Sequence, residues 1–245
     1  MNKVYNRSFS LLLFLMIGGF FCIPFLSSCG KSGNNNAISF NIQYQVINLS
    51  PDLGPVSLYI DFKNNRNASY YYAIPSGYFY LTSIDTPFQI RRSPNSVPGT
   101  VVSTENLFSL NNALKANLKY TLFIAGFNRD SSLSSVFLTD SSSLPKIGYG
   151  KVRFLNVSPL SPNFDVVANG VPAFTNQQYL KVSPYVEMPA GNYNFQIFAT
   201  GTSTPIIGTI QNVTVQDGKL YTMYTYSIAG RADSLAFGKG VIVNR

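Results

Sequence analysis

Few side chains in this 245-residue chain have types and spacings suited to catalysis or metal binding. Histidine is absent, which excludes Ser-His and Cys-His catalytic pairs and imidazole metal sites. The two cysteines, Cys22 and Cys29, both lie near the N-terminus. The ten carboxylates are dispersed and form neither an Asp-x-Asp-x-Asp calcium loop nor a recognisable glycosidase pair. We therefore expect no enzymatic activity, no cofactor and no metal ion.

Two residue patterns leave alternatives to this expectation. Asp52, Asp61, Asp165 and Asp217 fall at turns or strand ends, where aspartate commonly caps the backbone; the alternative is a calcium site built from some of them. The segment Ser143–Lys146 has the Ser-x-x-Lys spacing of some penicillin-binding enzymes. It contains a proline and has no partner motif, so a structural role is favoured.

The N-terminal segment predicts export. Lys3 and Arg7 precede an apolar stretch from Leu11 to Leu26, which is shorter than the roughly 20 residues that span a bilayer. This pattern is typical of a cleaved secretory signal peptide, here residues 1–28. The alternative is an uncleaved anchor helix with two incidental cysteines.

The residues around Cys29 predict a lipid anchor. Leu26-Ser27-Ser28-Cys29-Gly30 resembles the lipobox of bacterial lipoproteins, in which the cysteine receives a diacylglyceryl group and an amide-linked acyl chain such as palmitate. More than one lipid chain gives stable anchoring. Residues 29–37 are small and polar and are interpreted as a flexible tether. No aspartate follows the cysteine, which favours the outer membrane, with the periplasmic or surface side left open.

Composition and an internal repeat predict the architecture. Only 11% of the residues are charged, and short apolar or alternating runs recur between Pro, Gly, Asn and Ser, which favours strands. Four landmarks occur twice in the same order. They are Val46–Pro51 with Phe154–Pro159, Ile74–Gly77 with Met188–Gly191, Lys119–Thr121 with Leu220–Thr222, and Ala125-Gly126 with Ala229-Gly230. We predict two β-sandwich domains, at 38–145 and 150–245.

These motifs resemble a known family. Asn156-Val157-Ser158-Pro159, Asn169-Gly170, Pro189–Tyr193 and Gly218–Thr222 are similar to the "domain of unknown function 4397" family. The resemblance is strongest over about 80 residues of the second half, and the first half is a looser copy. It implies all-β, immunoglobulin-like antiparallel sandwiches in tandem on a bacterial secreted or surface protein, and it supplies no catalytic residues.

Two surface patterns suggest partners or modification. Tyr71, Tyr78 and Tyr80 flank the Ile-Pro-Ser-Gly turn and could form a glycan-binding platform, although alternating aromatics are also ordinary core residues. Asp233-Ser234-Leu235 resembles a bacterial O-glycosylation acceptor at Ser234. The cations are scattered, without the basic stripe that nucleic-acid binding requires.

Two functional hypotheses follow. The first is a membrane-anchored, non-enzymatic envelope lipoprotein that acts as an interaction, adhesion or structural module, with an envelope protein as its expected partner. The alternative is a glycan-binding accessory lipoprotein of a polysaccharide-uptake system.

Overall fold

The computed structural model describes residues 40–93, 105–111, 113–206 and 209–245. Cys29, the signal peptide and the tether lie outside these residues. All regular structure in the described part is β-strand. The strands are β1 Gln43–Asn48, β2 Val56–Ile60, β3 Lys63–Asn64, β4 Phe79–Tyr80, β5 Phe88–Arg92, β6 Asn106–Leu110, β7 Lys119–Ala125, β8 Ser134–Thr139, β9 Tyr149–Val157, β10 Phe164–Ala168, β11 Val171–Gln177, β12 Val186–Pro189, β13 Gly191–Ala199, β14 Ile210–Val215, β15 Leu220–Tyr226 and β16 Gly238–Val243.

The strands form two sandwiches with the same strand order. In the first sandwich, sheet β4-β1-β7-β8 faces sheet β3-β2-β5-β6; in the second, β12-β9-β15-β16 faces β11-β10-β13-β14. The prediction of an all-β fold with two sandwiches is confirmed. Most strand pairs are antiparallel, but β1 pairs with β7 and β9 with β15 in parallel. In the described residues no helix is long and apolar enough to cross a membrane.

The strand registers define which residues of the two sandwiches are equivalent. Tyr44 lies opposite Tyr120 in the first sandwich, and Val152 lies opposite Tyr221 in the second. This register confirms the first landmark, at an offset of 108 residues, and the third landmark as well. The same registers make β1 to β8 equivalent, in order, to β9 to β16.

The second and fourth landmarks were wrongly paired. The hydroxyl of Ser76 accepts a hydrogen bond from the amide of Val46, and Ser183 does the same for Phe154, so Ser76 matches Ser183 rather than Ala190. Likewise Gly126 follows β7 as Ser227 follows β15, and both have positive φ (81° and 60°). The similar Pro-x-Gly and Ala-Gly strings lie at different places in the fold.

A buried asparagine ends the first strand of each sandwich. The side chain of Asn48 accepts a hydrogen bond from the amide of Ser50 (3.1 Å) and donates one to the carbonyl of Gly54 (2.9 Å). Asn156 makes the equivalent bonds to Ser158 and Gln177. The prolines that follow cannot donate to a strand ladder, and the asparagine replaces those bonds in the turn.

Three apolar clusters hold the described part together. One lies between the sheets of the first sandwich and another between those of the second. The third joins the two sandwiches, with Ile47 and Phe123 packed on the same cluster as Leu155 and Tyr224. Residues 40–245 therefore form one compact, four-layered unit. Its two central sheets are covered on both faces, which is why nearly every residue of β1, β7, β9 and β15 is buried.

Candidate functional site

A buried polar network crosses the contact between the two sandwiches. Asp140, at the end of β8, forms an ion pair with Arg153 of β9, and the side chains are 0% and 7% exposed. The carboxylate of Asp140 also accepts hydrogen bonds from Thr121 (2.5 Å) and Tyr78 (2.8 Å). Arg153 donates further to the Thr222 hydroxyl (2.9 Å). Burial raises the pKa of Asp140, and Arg153 and the two hydroxyls oppose that shift.

The network is built from equivalent residues of the two sandwiches. By the strand registers, Gln45 occupies the position equivalent to Arg153, and Thr121 the position equivalent to Thr222. In the same way Asp140 is equivalent to Asn244, and Tyr78 to Tyr185. Asn244 donates to the Tyr78 hydroxyl (3.0 Å) and accepts from Thr222 (2.7 Å). Phe123 and Tyr224, also equivalent, contact each other with ring centroids 5.4 Å apart. The contact therefore has approximate two-fold symmetry, which is broken where Asp140 and Arg153 carry charges and their equivalents Asn244 and Gln45 do not.

This network orients the two sandwiches and is poorly placed to turn over a substrate. The charged atoms are enclosed by their partners, and the Arg153 guanidinium stacks on the Tyr185 ring at 4.8 Å. Removing either charge would leave the other buried and uncompensated, which is costly. A polar crevice of about 260 Å³ opens beside the network, lined in part by Asn117, Lys119, Ser142 and Arg245.

A second cavity, here called the side cleft, opens into the second sandwich between its edge strands β11 and β12. Its volume is about 290 Å³, near the lower limit of small-ligand sites. The walls are mainly apolar. They comprise Ala168, Asn169, Val171, Pro172, Ala173, Val186, Glu187, Met188, Pro189 and Tyr193.

The side cleft exists because small residues replace large ones. Ala168 and Val186 take the positions of Ile60 and Phe79 in the first sandwich, as the strand registers show. There Phe79 stacks on Tyr70 (6.2 Å) and is covered by the Arg66 guanidinium (4.9 Å). The first sandwich is filled at the place where the second is open.

Polar groups at the rim of the side cleft are already partnered. Glu187 lies 3.8 Å from both Lys146 and Lys151. The Tyr193 hydroxyl donates to the Pro189 carbonyl (2.9 Å), and the Asn169 side chain bonds the backbone of residues 192 and 194. The cleft therefore offers an apolar interior with one charge-compensated carboxylate at its edge.

Comparison with known families fits this repeated architecture. The sequence pattern of the family described as "Domain of unknown function (DUF4397)" matches residues 43–165 and 150–238. The chain belongs to the DUF4397 family. No curated protein matches the chain.

Within this DUF4397 protein the three tyrosines of the predicted platform are not brought together. The Tyr78 hydroxyl belongs to the buried network, and burial raises its pKa. Tyr71 and Tyr80 are 53% and 58% exposed but lie near opposite ends of β1. Tyr80 pairs with Gln43, whereas Tyr72, next to Tyr71, pairs with Asn48. A three-tyrosine surface is therefore not present, and Tyr71 and Tyr80 are separate exposed rings.

Other predicted residues have identifiable surroundings. Ser234 is exposed in the β15–β16 loop, beside the ion pair of Asp233 with Arg231. Ser143 does not pair with Lys146; its hydroxyl accepts a hydrogen bond from Lys151 Nζ (2.8 Å), and the carboxylate of Glu187 lies 3.8 Å from the same ammonium. The Ser-x-x-Lys spacing therefore does not correspond to a hydrogen bond between its serine and its lysine.

The four candidate calcium aspartates are dispersed over the fold. The carboxylate of Asp52 accepts hydrogen bonds from the amides of Asn128 and Arg129, and that of Asp165 accepts one from the amide of Asn176. Asp217 accepts the amide of Gly148, and Asp61 pairs with Lys63. Among the described residues no group of three His, Cys, Asp or Glu could hold a metal ion.

Sequence reasoning missed both the buried network and the side cleft. Neither has a motif, because its residues come from strands far apart in the chain. The one usable signal for the cleft was the replacement of Ile60 and Phe79 by Ala168 and Val186, and reading it requires the strand register.

Proposed function

We propose that this chain is a lipid-anchored, non-enzymatic protein of the bacterial outer membrane that binds an envelope protein through its side cleft. The single observation that carries the proposal is the cleft itself, an apolar opening in one sandwich at a position filled in the other. The two sandwiches share strand order, and the opening arises where Ile60 and Phe79 of the first are replaced by Ala168 and Val186 in the second. The anchoring part of the proposal comes from the sequence around Cys29.

The chemistry of the side cleft favours a protein partner over a glycan. Its apolar walls suit one or two aliphatic or aromatic side chains, and edge strands β11 and β12 flank it with backbone groups available to an extended segment. Sugars need a larger share of free polar groups than the cleft provides. One rim of the cleft, at Val171 and Pro189, lies at the same end of the strands as Phe40. Because the proposed anchor at Cys29 is close to Phe40 in sequence, the partner would bind near the membrane.

Site-specific photo-crosslinking in intact cells tests the cleft. A photoreactive residue replacing Ala173, in the cleft wall, should give a discrete protein adduct. The same residue at Leu160, which is 77% exposed at the opposite end, should not. Filling the cleft with Ala168→Ile and Val186→Phe copies the first sandwich and should abolish the adduct while the protein stays folded. An adduct that persists in the filled variant would reject the cleft as the binding site.

Separate measurements test the anchor and the glycan alternative. Cys29→Ser should abolish metabolic lipid labelling and membrane retention while the sandwiches remain folded. A labelled, membrane-bound variant would contradict the lipid anchor. A glycan-array signal lost on replacing Tyr71 and Tyr80, together with no protein adduct, would establish the glycan alternative instead.

A further inference from the structure

Exposed apolar side chains are concentrated at one end of the four-layered unit. We call this the Phe40 end, because Phe40 lies there, where its carbonyl accepts a hydrogen bond from the amide of Asn117 (3.1 Å). The strand directions place several connections at this end, among them residues 61–62, 140–148, 169–170 and 216–219. The two sandwiches share the same direction, since Tyr78 meets Asn244 at the Phe40 end and Tyr72 meets Ser227 at the other.

The distribution of exposed apolar residues is uneven. Of the ten large apolar side chains exposed in the described residues, six lie at the Phe40 end. They are Phe62, Tyr80, Leu144, Ile147, Val171 and Val243. Phe62 is 62% exposed and Ile147 is 96% exposed, both in connections that protrude beyond the strands. The other four, Tyr71, Ile74, Leu160 and Val182, lie toward the opposite end.

Phe62 adopts a backbone conformation that disfavours a bulky residue. It is the second residue of the β2–β3 turn, with φ of 62°, where the equivalent residue of the second sandwich is Gly170 with φ of 84°. A non-glycine residue in this region costs about 1–2 kcal/mol. An aromatic ring that is mostly exposed, belongs to none of the three apolar clusters and yet occupies such a position indicates a contact outside the chain.

Cations accompany these apolar residues. Lys63, Lys115, Lys146, Lys219 and Arg245 are exposed at the Phe40 end, and Lys119 and Arg245 line the polar crevice. Two carboxylates at this end have cationic partners, Asp61 with Lys63 and Glu187 with Lys146 and Lys151. Asp217 and Asp85 also lie at this end, where Asp217 accepts a hydrogen bond from the amide of Gly148 and Asp85 accepts one from the Ser83 hydroxyl. Lys115, Lys219 and Arg245 form no ion pair within the described part of the chain. Apolar side chains ringed by such cations match an anionic lipid surface.

The proposed anchor would hold this end close to a membrane. Only ten residues, 30–39, separate Cys29 from Phe40. The eleven Cα–Cα steps from Cys29 to Phe40 cover no more than about 40 Å even at full extension. We propose that the Phe40 end seats on the anionic headgroup layer of the membrane that holds Cys29, with Phe62 and Ile147 at the interface and the cations on lipid phosphates. This inference rests on the proposed lipid anchor.

A single tryptophan can report this contact because the chain contains none. Phe62→Trp, in the lipidated full-length protein in vesicles containing phosphatidylglycerol, should show blue-shifted emission and strong quenching by brominated lipids. Leu160→Trp is a matched control, since Leu160 is comparably exposed and also has positive φ (55°), but lies at the opposite end. Its emission should be unquenched.

Further measurements separate this inference from the anchor. Quenching at position 62 should fall severalfold when phosphatidylcholine replaces the anionic lipid or when Lys63 and Lys115 are changed to Glu. Protein that stays lipid-labelled and vesicle-bound but shows no quenching at position 62, or equal quenching at 160, would overturn the seated orientation and leave the anchor intact. If Phe62→Trp fails to fold, Ile147→Trp provides the same reading.

Discussion

At the scale of single residues, the pairing of Asp140 with Arg153 carries the most information. Taking a carboxylate and a guanidinium out of water costs several kcal/mol each, and their attraction with added hydrogen bonds roughly offsets that cost. Around this pair the equivalent positions hold neutral Gln45 and Asn244. The charges therefore add little net stability, and they favour one relative orientation of two nearly symmetric surfaces.

Neutralising both charges tests this view. Arg153→Gln alone should lower the free energy of unfolding by about 3 kcal/mol, because Asp140 is left buried without its counter-ion. Adding Asp140→Asn reproduces the Gln and Asn of the other half and should recover most of the loss. Urea unfolding at neutral pH measures both variants, with exposed Asp85→Asn as a control. Additive losses in the double variant would contradict a purely orienting role.

At the scale of the strands and turns, the sequence predicted the repeated strands but not the equivalence of all the turns or the docking of the two central sheets. The Asn-x-Ser-Pro strings span the end of a strand and the turn after it, and the x-Tyr-Thr strings begin a strand; their local chemistry repeats, so they marked equivalent positions correctly. Ile74–Gly77 was misplaced because turns of different position share Pro and Gly. The docked central sheets were also missed, although the unbroken apolar run Leu122–Ala125 indicates a strand buried on both faces.

A change in the turn between β2 and β3 should affect the stability of the fold and the membrane contact in opposite directions. Phe62→Gly should raise the free energy of unfolding by about 0.5–1 kcal/mol, because glycine accepts positive φ without strain and no buried contact is lost. The same change should weaken contact with anionic vesicles. Thermal unfolding measures the first effect. Quenching of an Ile147→Trp reporter by brominated lipids in the lipidated protein measures the second, because the lipid anchor alone keeps the protein on vesicles.

The equivalent turn of the second sandwich supplies the comparison. Gly170→Ala should destabilise by about 1 kcal/mol through backbone strain alone, since nothing lies within 4 Å of the added carbon. A loss of stability in Phe62→Gly would show that the ring packs within the fold and would remove the argument for an external contact.

At the scale of the whole molecule, the contact between the sandwiches resembles a homodimer joined into one chain. Equivalent residues such as Phe123 and Tyr224 meet across an approximate two-fold axis, as in symmetric dimers. The apolar residues of this contact are as deeply buried as those inside each sandwich. The connection at 140–148 is then a linker between two surfaces that would bind each other without it.

Cutting that connection provides the corresponding test. A protease site inserted after Leu144, which is 71% exposed, should be cleaved readily while the two halves stay together through size exclusion in native buffer. They should separate only in denaturant, because the buried interface outlasts the loss of the covalent link. Phe123→Ala with Tyr224→Ala should release the halves after cleavage by opening a cavity at the centre of the contact. Halves of the unmutated protein that separate on cleavage alone would show that the linker, rather than the buried interface, holds the two sandwiches in one unit.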